Sequence, residues 1–239
     1  MIVVRDLKDG VSIDAALQTP YPSLLSVVQN ASRAEARGYD HSYGYVLYGR
    51  ATITAGDSVF ALSSGGYFSV PGLFHVDAEF GTVILITRLG YRGLLQAGEI
   101  EHIGRLSYID GCSDTLLVSP PRMGDPCFNY LHFPKGINQT QHTHPSVRFG
   151  VVARGSGVAY QTKDRTHDGW EEELSRGCVF LLHAQELHSF RTTDSQEIMD
   201  VIAFHPDSDW GPTDAAHPML NRTYIGNAKS ALVSSSIGA

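Results

Sequence analysis

The chain repeats itself. The run from Tyr43 to Gly49 returns as Phe149 to Gly155, an offset of about 106 residues. Ala51 to Thr54 is matched by Val158 to Gln161, Gly65 to Val70 by Gly177 to Leu182, and Val83 to Ile86 by the run from Ile198 to Phe204. Each matched run is short, apolar or alternating, and ends near Gly, Ser or Asp, the pattern of strands joined by tight turns. A duplicated β-unit restricts the chain to an all-β architecture of two tandem barrels or sandwiches. The expected division lies near residue 100, in the stretch Gln96 to Glu99, giving an N-terminal unit 1–100 and a C-terminal unit 101–239 with a short insertion around Lys163 to Trp170. The first 20 or so residues read as irregular, and the tail from Pro206 as an ordered wrap to about Thr223 followed by loose chain.

Composition removes several function classes. At 239 residues the chain is long enough for two hydrophobic cores. Its net charge of −7 comes without a Lys/Arg stripe, which argues against nucleic acid as a partner. The longest apolar runs, such as Thr82 to Thr87, fall far short of the ~20 residues that span a bilayer. Met1 to Gly10 has no apolar core of a signal peptide, and Cys112, Cys127 and Cys178 lack metal-type spacing. These features predict a cytoplasmic protein with reduced thiols, no membrane association and a small-molecule partner.

The chemistry-bearing residues lie in the second repeat. In a strand, residues two apart share a face, so His142 and His144 place two imidazoles side by side. His188, at the start of a later strand, is placed to face them across a barrel. Neutral imidazole suits Zn, Cu, Fe and Ni, and three protein ligands leave coordination positions open. The same alternation turns Arg148 inward with the histidines. A guanidinium cannot ligate a cation, so next to a metal it calls either for an anionic ligand or for an internal acid such as Asp200 or Glu186. Glu186 and His183 are candidate proton carriers. In the first repeat the corresponding positions are Ala36, Gly38 and Ser42, which predicts a metal-free copy and one metal per chain.

The segment Gly136 to Gly155 resembles the first cupin motif: Gly136, five residues, His142-Thr-His144, then Arg148 where the motif has glutamate, then Gly155. Gly177, five residues, His183-Ala-Gln185, two residues and His188 resemble the second motif, with His183, Gln185 and Thr192 in place of its proline, glycine and asparagine. The resemblance implies two double-stranded β-helix (jelly-roll) barrels. It also implies a divalent metal on His142, His144 and His188, and a degenerate first barrel that serves packing or homodimer contacts.

Cupin sites with three histidines and no glutamate are similar to those of gentisate-type and thiol dioxygenases. The reading this favours is an Fe(II) dioxygenase acting on a small anionic organic or aromatic substrate, with Arg148, Glu186 and His183 as catalytic candidates. Two alternatives stay open. One is an isomerase, lyase or hydrolase using Zn or Mn, with Ni or Cu as further metals the ligand set accepts. The other is a non-enzymatic ligand-binding or sensor cupin.

Overall fold

The structure is a computed structural model describing residues 2–208 except 8–11, 18–20, 30–32, 36–37, 79, 164, 166–167 and 193–197. The tail expected to wrap from Pro206 to Thr223 lies almost wholly outside the described residues, as does part of the insertion at Lys163 to Trp170. The described residues are all-β apart from short 3-10 turns, one of them at Ile109–Gly111. No helix is long and apolar enough to cross a membrane.

Strands of the first repeat form a six-stranded sheet built around His41–Tyr48, and a four-stranded sheet containing Arg50–Ala55, Ser58–Ser63 and His75–Asp77. Those of the second form a nine-stranded sheet around the long strand Arg148–Gln161, which pairs with Trp170–Ser175, Val179–Leu182, Ser189–Arg191 and Met199–His205. All of these pairings are antiparallel.

The repeat extends to individual packing contacts. Gly44 lies opposite Phe68 in one half, and Gly150 lies opposite Phe180 in the other. A Cβ on Gly44 would fall 2.0 Å from the Phe68 ring, and one on Gly150 would fall 2.1 Å from the Phe180 ring. In both barrels a glycine therefore lets a phenylalanine ring lie flat on the neighbouring strand, and this places the ring inside the barrel. Gly49 follows His41–Tyr48 and Gly155 lies at the matching point within Arg148–Gln161, with φ of +71° and +68°, a conformation that costs other residues free energy.

The buried apolar side chains described fall into three clusters. Tyr43, Tyr45 and Leu47 face Phe149, Val151, Ile202 and Phe204 in a core shared by the two halves. Val46, Ile53, Phe68, Val70, Val83 and Leu85 fill the first barrel with apolar atoms. Val152, Phe180, Leu182, Phe190 and Val201 line the second barrel. Of the aromatic residues Tyr45, Tyr67, Phe68 and Phe74, which the sequence suggests as core of the first barrel, Phe68 and Phe74 are buried inside it, while Tyr45 is buried and Tyr67 half-buried in the core shared with the second half.

The first 20 residues depart from the irregular chain expected of them. Val3–Arg5 pairs with Val179–Leu182, adding an edge strand to the sheet of the second half, and Ser12–Asp14 pairs with Ser23–Gln29. Strands of three residues carry too little periodicity to be seen in sequence. What places the first of them is burial, because Ile2 is 5% exposed and belongs to the apolar cluster of the second barrel.

Candidate metal centre

His142 and His188 are direct antiparallel neighbours. The backbone N–H of each donates to the carbonyl of the other at 3.0 Å. His188 therefore lies beside His142 rather than across the barrel, and His144, two residues on, completes a compact triangle. Ring centroids are 5.0 Å apart for His142 and His144, 4.6 Å for His142 and His188, and 5.1 Å for His144 and His188. The prospective ligand atoms of the three lie within 4.8 Å of one another. Among the described residues this is the one group of histidine, cysteine or carboxylate side chains so disposed.

The hydrogen bonds around the rings favour metal binding through Nε2. Nδ1 of His142 faces the Thr140 carbonyl at 3.0 Å, and Nδ1 of His188 faces the Glu186 carbonyl at 2.8 Å. A carbonyl only accepts, so each Nδ1 carries the proton and each Nε2 offers a lone pair. In His188 that Nε2 is buried and makes no hydrogen bond among the described residues. Burial, followed by the neighbouring His142, pulls the His188 pKa down to about 3, so the ring is neutral at physiological pH. A buried, neutral, unbonded imidazole nitrogen beside two others fits a divalent cation, and the three histidines can hold one metal ion.

The cavity in front of the trio is small, about 30 Å³, and mostly apolar, walled by Leu131, Phe133, Phe180, Leu182, Phe190 and Val201. Gln139, Arg148 and His205 also line it, with the His205 ring 5.9 Å from that of His144.

Arg148 shares the face of Val152, as alternation requires, and is 3% exposed. Its charge is matched inside the protein. Nη1 donates to the Ser146 carbonyl at 3.2 Å, the Ser146 hydroxyl at 2.5 Å and the Val147 carbonyl at 2.9 Å, and pairs with Asp207 at 3.3 Å. Neither of the acids considered from sequence plays this part. Asp200 is taken by His132 at 2.7 Å and by Arg154, while Glu186 accepts from the backbone N–H of His183 at 3.0 Å. That last bond closes the turn before His188, where Gln185 has φ +60°. Neither Glu186 nor His183 is among the residues lining the cavity. Gln139, Ser146 and Asp207 were not singled out in sequence. Gln139 is signalled only by lying three residues before His142, and Asp207 by nothing local.

A family model described as the AraC-like ligand binding domain matches residues 134–216, which include the histidine trio. No curated protein matches the chain by sequence. Solved structures match over most of its length. A cupin 2 conserved barrel domain protein from Leptotrichia buccalis is 16% identical with a TM-score of 0.62, covering 84% of this chain and 95% of its own. Salicylate 1,2-dioxygenase from Pseudaminobacter salicylatoxidans is 11% identical with a TM-score of 0.63, covering 85% and 84%. A deletion variant of oxalate decarboxylase OxdC from Bacillus subtilis is 11% identical with a TM-score of 0.56, covering 85% and 76%. The duplicated barrel, its match to these structures and the histidine trio of the second half identify this chain as a protein of the bicupin fold.

Proposed function

We propose that the protein is a mononuclear metal enzyme whose second half, residues 101–239, carries the chemistry, while residues 1–100 form a metal-free barrel that supports it. The observation carrying this reading is the His188 Nε2 atom, buried without a hydrogen bond among the described residues in a triangle of imidazoles that opens on an apolar cavity. A metal bound there would supply an electrophilic centre with coordination positions left for a small molecule.

The reaction we favour is an Fe(II)-dependent dioxygenation of a small organic or aromatic substrate. An all-imidazole ligand set leaves the cation its full charge, and the phenylalanine-rich wall suits an apolar substrate body. The fold alone does not choose a reaction, since a dioxygenase and a decarboxylase share it. An anionic substrate loses its main argument, because Asp207 already supplies the countercharge to Arg148. The test is oxygen uptake by iron-reconstituted protein with a panel of small phenols and hydroxy acids. Substrate-dependent uptake supports the reading, and full turnover under strict anaerobiosis contradicts it.

One observation favours a second reading. The match to a ligand-binding family model spans the trio, which suits a cupin that binds a small molecule without transforming it. Saturable binding of a compound recovered unchanged, with metal bound, would select this reading.

A further inference from the structure

The cavity is lined by a buried acceptor that makes no hydrogen bond among the described residues and that the metal reading does not use. Gln139 is 3% exposed and lines the same cavity as His142, His144 and His188. Its Oε1 is buried and makes no hydrogen bond among the described residues. The rest of the residue is fixed. Its backbone N–H donates to Phe190 O at 3.0 Å, and its carbonyl accepts from the Ser189 hydroxyl and, at 3.3 Å, from the Tyr160 hydroxyl. The side-chain Nε2 donates to the Cys112 sulfur at 3.5 Å. That thiol stays neutral, since burial raises its pKa to about 12.

A buried acceptor without a donor is costly, so one held rigidly in a cavity is a recognition element waiting for its partner. Leu131, Phe133, Phe180, Leu182, Phe190 and Val201 supply no side-chain donor, and Tyr108, Arg148 and His205, which also line the cavity, make no hydrogen bond to Oε1. The donor must then arrive with the ligand. The cavity is small, about 30 Å³, which keeps the donor close to the coordinating group.

We infer that Gln139 is a specificity-determining residue, and that the small molecule bound at the trio presents an N–H or O–H group to its side-chain carbonyl next to the atoms that meet the metal. Amides, hydroxamates, amines and enols have this form, whereas simple carboxylates and ethers do not. The inference rests on the reading of His142, His144 and His188 as a metal site.

The test uses the full chain loaded with Co(II), whose visible absorption reports both metal binding and ligand exchange. The probes are acetohydroxamate, which carries an N–H beside its chelating oxygens, and N-methylacetohydroxamate, which does not. Wild type is expected to prefer the first by about 10-fold or more. Gln139→Glu keeps an acceptor and is expected to keep the preference. Gln139→Leu, similar in volume, is expected to bring the two affinities within about twofold. A preference in Gln139→Leu as large as in wild type would trace it to the size of the methyl group and overturn the inference. So would equal affinities in wild type. In both cases the cobalt bands show the metal site intact and leave the metal reading standing. Absence of cobalt bands in wild type would instead remove the metal reading, and this inference with it.

Discussion

At the scale of single residues, the site depends on groups that are costly to bury alone. His188 is 1% exposed and neutral, so replacing it with Ala removes one ligand of three and is expected to lower metal affinity by at least about 100-fold. Elemental analysis after dialysis checks this. Arg148 and Asp207 form a pair with side-chain exposures of 3% and 10%. Arg148→Met strands the carboxylate and is expected to cost about 3 kcal/mol in urea unfolding, most of it recovered by adding Asp207→Asn. Full stability of the single variant would show that the pair contributes nothing. The trio was legible in sequence from the His-x-His spacing, which strand alternation would put on one face, although in the structure His142 makes only an isolated β-bridge and His144 lies on no strand. The inward turn of Arg148 was legible by the same alternation. Its partner was not, because Asp207 is 59 residues away and only tertiary packing brings the two together.

Elements are set by glycines as much as by apolar residues. Gly155 ends the strand segment that carries Arg148, and a Cβ there would fall 1.5 Å from the Ile198 carbonyl oxygen at φ +68°. Gly155→Ala is therefore expected to cost about 3 kcal/mol. Gly56→Ala, with φ +58° and nothing within 4 Å of the added carbon, should cost about 1 kcal/mol. Chemical denaturation of both variants separates steric clash from backbone strain, and equal losses would contradict the distinction. The longer strands could be read from sequence because the repeat shows each pattern twice. The three-residue strands at Val3–Arg5 and Ser12–Asp14 could not, since their pairing is decided by the sheets they join.

For the whole molecule, the two halves share one core but differ inside their barrels. The first barrel has filled its interior with Val46, Phe68, Val70 and Leu85, where the second keeps a cavity and three histidines. The first barrel does bury a histidine, but a structural one. His41 Nδ1 accepts from the Gly93 N–H at 2.9 Å, which leaves Nε2 to donate to the Ser69 hydroxyl at 2.6 Å. Burial, with help from Arg92, lowers its pKa from 6.5 to about 4. The unfolded chain then binds a proton that the folded one refuses. Stability is full above pH 6.5 and falls as pH drops towards 4, by about 3 kcal/mol from this residue. Urea midpoints at pH 7.5 and 4.5 check it, and a flat profile would contradict it. The central claim, one metal held by three histidines of the second half, is tested most directly by metal content per chain after purification and dialysis. The account predicts one equivalent in wild type and none in His142→Ala, His144→Ala or His188→Ala variants that remain folded. Two equivalents in wild type, or one equivalent retained by the His188→Ala variant, would contradict it.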